Sequence, residues 1–351
     1  MHGSIRQIVL FDVADEIRLD ALRAALDIST PEPGPSFVRP GPDYVRFERP
    51  PVVEPLQIDR FEARVKYYDY GVVSVEFDQR FSLDWSELIE YSAGVLSDPL
   101  VEQRARDLLK PRLERARVAA VNPYQVWLDE DYVIINVIPE SSAGNAADLL
   151  AVHGREIAQI VRGETRPLSA TEYQEILAAS ISYYPNDLLV VGWSAAFVFD
   201  NPAAAGPTFQ LLEYANTQLL EFRHYDELLT GVLAGVYRSI DRGTGVWRRW
   251  GLAGEAESLN TVRLDVIEIA ERIETSIKFL SDMFYARMYR LAAARVGVPD
   301  YRRLVDQKLQ TAGELYEFMV DRFDRGRGFF LEVVVVIILL IEIVFLFRGK
   351  G

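Results

Sequence analysis

The sequence predicts an α+β protein: an α/β-like N-terminal domain, a long helical hairpin or coiled-coil stalk, and one C-terminal transmembrane helix. Strand-like alternation dominates roughly the first 200 residues, whereas the three-four apolar spacing of helices dominates the rest. A nineteen-residue run, apolar apart from two glutamates, follows near the end. The predicted domains are 1–200 (mixed α/β), 201–299 (helical), 300–328 (helical stalk) and 329–347 (transmembrane helix).

In the first domain, segments rich in β-branched and aromatic residues alternate with amphipathic segments. The predicted strands are 5–13, 44–47, 57–68, 72–77, 124–128, 132–138 and 188–199. The predicted helices are 16–26, 84–95, 101–119, 146–161 and 171–182. Asp69, Tyr70 and Gly71 predict a hairpin turn, as do Asp129 and Glu130. The proline-rich segment from 31 to 55 predicts a loop, linker or edge element, because proline interrupts helices.

The second part of the chain predicts helices almost throughout. They cover 208–240, 255–296 and the residues from 300 onward, with a glycine-bearing loop at 243–254. Apolar residues in the second of these helices have coiled-coil spacing. Pro299 is expected to break that helix and Asp300 to cap the next one. Gly326 and Gly328 are the expected hinge before the apolar run.

The apolar run at 329–347 has the length of a membrane-spanning helix. At a rise of about 1.5 Å per residue it is roughly 28 Å long, close to the thickness of the hydrocarbon layer. Glu332 and Glu342 interrupt it near its ends, where a carboxylate can reach headgroups or a basic tail. The alternative, a helix buried in a soluble core, is usually shorter and carries a polar stripe. The sequence therefore predicts a single-pass, tail-anchored membrane protein with its body on the cytosolic side.

The amino-acid composition disfavours several kinds of partner and metal site in residues 1–324, the part of the chain that precedes the apolar run. Residues 1–324 hold 34 Lys and Arg against 50 Asp and Glu, a net charge of −16 that disfavours nucleic acid over most of the surface. The chain has no cysteine, and only three histidines, so neither a thiolate nor a multi-histidine metal centre is expected. The sequence predicts no cofactor and no metal, and it favours a non-enzymatic role over an enzymatic one.

A segment rich in tryptophan and arginine predicts a contact with the membrane surface. The stalk helix from 300 to 328 covers about 43 Å and the helix before it about 63 Å, so the start of the earlier helix returns to the level of the membrane. The loop there contains Trp247, Arg248, Arg249 and Trp250. Indole rings and guanidinium groups suit the headgroup region. The alternative is that both tryptophans pack on the body.

Polar residues are densest between residues 211 and 229, within a predicted helix. They predict either a small polar pocket or a buried hydrogen-bonded network that fixes the helix on the sheet. The candidate polar residues are Glu213, Asn216, Glu221, Arg223, His224 and Glu227. Arg223 and Glu227 have the spacing of an ion pair one helical turn apart.

A basic stretch interleaved with tyrosines follows in the later helices. Its arginines are Arg287, Arg290, Arg295, Arg302 and Arg303. Aromatic residues among bases can hold RNA by stacking and phosphate contacts. A solvated helix face, or contact with an acidic protein surface, is the favoured interpretation.

Gly192, Trp193 and Ser194 resemble the start of a nucleophile elbow, the turn that presents a catalytic serine in hydrolases. The elbow requires a helix directly after the serine. The residues that follow predict a strand, which argues against a hydrolase.

Three stretches resemble a known family of membrane proteins. They are VKYYDYGVVSVEF at 65–77, the helix at 277–296, and the pattern of Leu331 and Glu332 followed by Leu339 and Glu342. Through them the chain resembles the required-for-meiotic-nuclear-division family, tail-anchored proteins of bacteria, fungi and animal mitochondria that share a domain of unknown activity. The resemblance implies a membrane-bound homo-oligomer, with mitochondrial relatives linked to translation at the inner membrane. It implies no catalytic residue.

The two glutamates of the apolar run also indicate an assembly. Steps of seven and three residues place Glu332, Leu339 and Glu342 near one stripe of the helix. Association along this stripe would let carboxylates share protons or meet basic tails instead of lipid. We expect a non-enzymatic, homo-oligomeric scaffold that holds its α/β domain at a membrane. A membrane-tethered domain that binds a ligand or RNA stays open as the alternative.

Overall fold

The computed structural model of the chain describes residues 1–28, 45–47, 49–58, 61–139, 145–241, 257, 259–264, 266–267, 277–279 and 283–348. For 45–47, 61, 239–241, 277–279, 321–334 and 342–348 the backbone alone is described. The strands are β1 (His2–Ile17), β2 (Val45–Phe47), β3 (Val52–Ile58), β4 (Phe61–Tyr67), β5 (Val72–Ser82), β6 (Ala120–Val137), β7 (Ser180–Ile181), β8 (Leu188–Val191), β9 (Ala195–Phe199) and β10 (Ile277–Phe279). The longer helices are α1 (Leu19–Leu26), α2 (Trp85–Leu96), α3 (Val101–Arg115), α4 (Ala146–Arg162), α5 (Ala170–Leu177), α6 (Pro202–Asp241), α7 (Met283–Val296) and α8 (Val298–Arg348).

The chain divides into two compact units. The first comprises residues 1–224 and 271–301, and the second comprises 225–270 and 302–351. The first unit combines a sheet with helices, and the described residues of the second are helical. The predicted α+β class with a helical C-terminal region is confirmed.

An eight-stranded sheet in the order β3-β4-β5-β1-β6-β9-β8-β7 forms the centre of the first unit. Neighbouring strands are antiparallel except β6 and β9, which are parallel. β1 lies between β5 and β6 and pairs with both. Between Asp12 and Ala14 the register with β6 shifts from Leu128 to Pro123, so β6 advances five residues where β1 advances two. Such an irregularity makes the longer strand bulge away from its neighbour.

Alternation along β1 distributes its side chains between two layers, because successive residues of a strand point to opposite faces. Ile5 and Phe11 join apolar clusters with helices α1 to α5 on one face. Arg6 and Asp12 lie on the other face, where they contact Phe209 and His224 of α6. The sheet is therefore covered by five helices on one face and by the first part of α6 on the other.

The two predicted hairpin turns have different outcomes. The turn at Gly71 is confirmed, since β4 ends at Tyr67 and Gly71 adopts a φ of +95°, which favours glycine. The turn at Asp129 and Glu130 is wrong, because β6 continues through both residues and stays paired with β1. Their carboxylates meet arginines of neighbouring helices, which makes two acids tolerable in the middle of a strand.

The later helices begin and end at other residues than predicted. The segment 255–296, predicted to be one helix, contains a strand in the structure. This strand is β10, which pairs with β2, and α7 begins after it. Gly297 ends α7 with a φ of +96°, and Pro299 then lies in the first turn of α8, where proline is tolerated. α8 continues through Gly326 and Gly328, so the predicted hinge is not seen. An isolated glycine destabilises a helix by only about 1 kcal/mol.

The second unit has a small apolar core of its own. Leu233, Leu259 and Met319 belong to its buried cluster. Lys308 Nζ donates a hydrogen bond to Asp226 Oδ1 at 2.6 Å. Lys308 is therefore engaged in an ion pair.

The apolar run falls in the last part of α8. Residues 335–341 are all aliphatic, and each is between 49% and 56% exposed. The side chains of 329–334 and 342–347 lie outside the described residues. Among the residues that the structure describes fully, no helix is long and apolar enough to cross a membrane. The transmembrane helix stays a prediction.

Candidate functional site

A layer of polar side chains is buried between the sheet and α6. Strands and helix both contribute to it, because every second residue of β1, β4 and β5 faces α6. Its buried members are Asp12, Ser74, Glu76, Glu213, Asn216, Thr217, Gln218 and Glu221. Carboxylates are rarely buried at this density unless they are paired. The layer contains two separate groups of ionisable residues.

We call the first group the Lys66 cluster; it comprises Arg6, Lys66, Glu76, Asp78 and Glu213. Lys66 Nζ donates hydrogen bonds to the carboxylates of Glu76 and Glu213. The side chain of Lys66 is 12% exposed, and those of both glutamates are 2% exposed. Arg6 Nη2 donates to Asp78 Oδ2 at 2.7 Å. One lysine therefore joins strand β4, strand β5 and helix α6.

Burial and charge act in opposite directions on the two glutamates. Burial raises the pKa of Glu213, and the charge of Lys66 offsets this only in part. Burial would also raise the pKa of Glu76, but the charges of Lys66 and Arg6 lower it to about 2. Burial therefore dominates at Glu213, whereas the positive charges of Lys66 and Arg6 dominate at Glu76.

These shifts predict opposite effects of the two glutamates on the pH dependence of stability. The pKa of Glu76 is lowered in the folded protein, so its contribution is present above its ordinary pKa of 4.5 and is lost as the pH falls towards 2. The pKa of Glu213 is raised, so its contribution is present below 4.5 and is lost as the pH rises through the shifted pKa. The free energy of unfolding of Glu213→Gln should therefore decrease less than that of the unmodified protein as the pH rises. The free energy of unfolding of Glu76→Gln should decrease less as the pH falls.

Urea unfolding of both variants at a series of pH values between about 3 and 8 measures this difference. If Glu213→Gln left the slope of unfolding free energy against pH unchanged, the pKa of Glu213 would not be raised in the folded protein.

The second group lies where β6 bulges away from β1, and we call it the His224 site. It comprises Asp12, Asp15, Asn122, Tyr124, Glu130, Arg223 and His224. His224 Nδ1 lies 2.8 Å from Asp12 Oδ2, and its ring stacks on Tyr124 with centroids 4.7 Å apart. Tyr124 Oη donates to Asp15 Oδ1 at 2.6 Å. Asn122 Nδ2 donates to Asp15 Oδ2 at 2.7 Å, from a backbone with a φ of +47°.

The His224 site is less buried than the Lys66 cluster. The His224 side chain is 19% exposed, although its partner Asp12 is 1% exposed. Arg223 pairs with Glu130, and their side chains are 30% and 16% exposed. Burial raises the pKa of Asp12 and of Glu130, against the lowering effect of their basic partners. A carboxylate that orients an imidazole in this way is an arrangement that can accept and return protons.

The structure divides the predicted polar residues between these groups. Glu213 belongs to the Lys66 cluster, whereas Arg223 and His224 belong to the His224 site. Asn216 Nδ2 donates to the backbone oxygen of Leu212. Glu221 is buried in the same layer, and Glu227 is exposed. Arg223 pairs with Glu130 instead of Glu227, because β6 presents a carboxylate to the helix.

Sequence reasoning missed the partners that the strands supply. Glu76 and Asp12 each interrupt a predicted strand whose other residues are mostly apolar, whereas Lys66 lies among other charged residues of the predicted strand 57–68. An acid or base at an inward position of a strand is expensive to bury alone, so it signals a partner across the layer. A charged residue at an inward strand position thus predicts that a partner exists, but it does not identify the helix that supplies the partner.

Ser194 lies in the turn between β8 and β9, and a strand follows it directly. The structure therefore lacks the helix that a nucleophile elbow requires at this serine. The backbone oxygen of Ser194 accepts a hydrogen bond from Val133. Val133 is five residues along β6 from Leu128, the partner of Asp12, a distance of about 17 Å. Ser194 and His224 are not brought together.

The predicted basic stretch is partly engaged in ion pairs. Arg295 Nη1 lies 2.7 Å from Glu175 Oε1, and Arg302 lies 3.9 Å from Asp306. The exposed members of the stretch are Arg287, Arg290, Arg302 and Arg303. RNA binding at these arginines stays a prediction.

The residues predicted to meet the membrane are mostly not described. Trp247, Arg248, Arg249 and Trp250 lie outside the described residues. The side chains of Glu332 and Glu342 do too, although both lie within the helical backbone of α8. Leu339 is 51% exposed.

Comparison with known proteins finds relatives of unknown activity. A family model described as "Uncharacterized protein MJ0711, N-terminal domain" matches residues 2–205. The uncharacterized protein MJ0711 of Methanocaldococcus jannaschii is 20% identical over 188 residues, which cover 54% of this chain and 58% of that protein. No solved structure matches the chain. Asp12 and Lys66 lie within the residues that the family model matches, whereas Glu213 and His224 follow them.

These matches do not test the resemblance to the required-for-meiotic-nuclear-division family, which stays a prediction. The chain spans a little more than half the length of its curated relative. The comparisons therefore establish a family and no activity.

Proposed function

We propose that this chain, which belongs to the family of the N-terminal domain of the uncharacterized protein MJ0711, is a membrane-anchored, non-enzymatic scaffold. Residues 329–347 of α8 insert into a bilayer and associate with the same segment of other copies. The α+β unit is then held at the membrane surface, on the cytosolic side. In this role the Lys66 cluster fixes α6 on the sheet and keeps the unit rigid.

One observation carries the proposal: the exposed aliphatic stretch at 335–341. Seven consecutive residues of a helix complete almost two turns, so they point to every side of the helix axis. All seven are aliphatic, and each is about half exposed, which leaves apolar surface around the whole circumference. Exposed patches of this kind mark interaction sites or membrane contacts, because apolar surface in water is unfavourable. Lipid suits a helix that is apolar on every face.

The assembly follows from the spacing of the acids in the same helix. Glu332, Leu339 and Glu342 recur near one stripe of a continuous helical backbone. A lone carboxylate in hydrocarbon is costly, and neighbouring copies offer it a proton to share or a basic tail to meet. The resemblance to the required-for-meiotic-nuclear-division family points to the same kind of homo-oligomer.

Replacement of both acids tests the assembly. Glu332→Gln with Glu342→Gln should lower the mass of the detergent-solubilised particle, as measured by light scattering of the full chain. Glu314→Gln with Glu317→Gln is the matched control, because it removes the same charge from an exposed part of the same helix. The control should keep the mass of the unmodified protein. An unchanged mass of the first variant would refute assembly through the glutamates.

A further inference from the structure

We propose that the first unit of one copy docks on the first unit of a second copy, with the exposed face of α7 against the exposed face of α2. The inference rests on the proposed function, because it names a contact between the copies that the membrane anchor brings together. Three features support it: opposite charge, equal spacing of the charged residues, and the position of the two helices on opposite faces of the sheet.

The outer face of α7 carries positive charge that no acid of the described residues neutralises. α7 contains three arginines and no acidic residue. Arg295 pairs with Glu175, whereas Arg287 and Arg290 are exposed and form no salt bridge within the part of the chain that the structure describes. The whole chain has a net charge of −14, so a basic face of this kind attracts an acidic surface of another copy.

The outer face of α2 has the opposite charge. α2 contains two glutamates and no basic residue. Glu87 and Glu90 are both exposed, and no described lysine or arginine forms a salt bridge with either of them. Glu87 Oε2 accepts a hydrogen bond from the backbone of Asp84, which holds this carboxylate at the start of the helix. A second copy therefore supplies the acidic surface that the arginines of α7 attract.

The two faces have the same spacing. Each presents two charged residues three positions apart and a small residue four positions further on. The exposed members are Glu87, Glu90 and Gly94 on α2, and Arg287, Arg290 and Ala294 on α7. Residues three and four apart lie on one side of a helix, so each set forms a stripe. With the two helices parallel and in register, both glutamates meet arginines, and the small residues allow a close approach.

The two helices lie on opposite faces of the sheet. Leu88 of α2 belongs with Ile5 to the apolar cluster on the face of α1 to α5. Tyr289 of α7 donates a hydrogen bond to Gln218 of α6, which covers the other face. Copies that enter a membrane in one orientation are related by a rotation about its normal, so in a ring larger than a dimer each copy presents different surfaces to its two neighbours. Complementary faces on opposite sides of the unit fit this head-to-tail arrangement.

The membrane anchor makes such a contact effective. Exposed ion pairs are individually weak, and salt screens them. Confinement of the copies to one membrane raises their effective concentration, so that a weak contact becomes populated.

Crosslinking between introduced cysteines tests the contact, because the chain has no cysteine of its own. The full chain with Gly94→Cys and Ala294→Cys is treated in membranes with a short bis-maleimide and separated on a denaturing gel. Within one copy the sheet lies between these positions, which are about 20 Å or more apart, so the reagent joins different copies. A ladder of crosslinked chains is expected. Gly94→Cys with Val126→Cys, which places the second cysteine at an exposed residue of β6, is the control and should give no ladder.

Exchange of the charges then identifies the contact. Added to the chain with Gly94→Cys and Ala294→Cys, Arg287→Glu with Arg290→Glu should weaken the ladder by about tenfold or more, because like charges then face each other. Further addition of Glu87→Arg with Glu90→Arg should restore the ladder, which a misfolded variant could not do. Absence of a ladder, a ladder of equal strength in the control, or a ladder that the first exchange leaves unchanged would each overturn the proposal.

Flotation of the same membranes distinguishes failure of this contact from failure of the proposed function. A protein that floats with the vesicles but gives no ladder contradicts the contact between α2 and α7 alone. An unmodified chain that does not float contradicts the membrane anchor, and with it the contact that depends on anchored copies.

Discussion

Lys66→Met is expected to lower the free energy of unfolding of the first unit by about 3–5 kcal/mol, the effect of leaving a buried carboxylate without its cation. Glu76 is 2% exposed, and Lys66 is the cation that hydrogen-bonds to it. Methionine keeps much of the apolar volume of lysine, so the loss reports charge more than packing. Hydrogen exchange of amides in β4 and β5 measures the change within this unit. A local measurement is needed because a protein with two compact units need not unfold in a single two-state transition.

Two companion variants separate charge from packing at this position. Lys110→Met removes an exposed lysine of α3 and should change stability by less than about 0.5 kcal/mol. Lys66→Met combined with Glu76→Met replaces both partners by apolar side chains and should recover most of the loss, as is common for buried ion pairs. A single Lys66→Met variant as stable as the unmodified protein would show that the Lys66 cluster does not hold α6 on the sheet.

Val336→Arg combined with Leu340→Arg is expected to transfer the protein from the membrane to the soluble fraction. The two positions are four residues apart, so both arginines lie on one face near the middle of the apolar run. Each arginine at the centre of a spanning helix opposes insertion by about 2.5–3.5 kcal/mol, and two together exceed what the remaining aliphatic residues readily offset. Fractionation of cells that express the full-length variant, followed by immunodetection, measures the transfer.

The matched control exchanges the two aliphatic residues without adding charge. Val336→Leu with Leu340→Val keeps the apolar character of the segment and should leave the protein in the membrane fraction. Arginine variants that stay as firmly in the membrane as this control would mean that residues 335–341 are not inside the bilayer.

Much of the fold could be predicted from local patterns, and the errors have local causes. The turn at Gly71 could be predicted because it requires a backbone conformation that only glycine readily adopts. Asp129 and Glu130 also look like a turn, but arginines that are distant in sequence stabilise them within β6. No local pattern reveals such partners. The helix boundary near Pro299 was misplaced for a related reason, since Gly297 ends the preceding helix and proline is compatible with the first turn of the next.

The sequence predicted the residues that α6 contributes to the candidate site, but not the residues that the strands contribute. The helical spacing in α6 identified Glu213, Arg223 and His224 as polar residues near a common surface. Their partners Lys66 and Asp12 lie on strands about 150 and 210 residues earlier, and only the order of strands in the sheet brings them opposite α6. The division of the layer into a fully buried cluster and a partly open site depends on that order as well.

Membrane attachment of the unmodified full chain is the central claim, and resistance to extraction tests it most directly. Membranes from expressing cells are washed first with concentrated salt and then with alkaline carbonate, and the protein is followed by flotation with the vesicles. A helix inserted through residues 329–347 predicts that the protein stays with the floating membranes after both washes and leaves them only in detergent. Release of the protein by salt or by alkaline carbonate would contradict the anchor and the scaffold that depends on it.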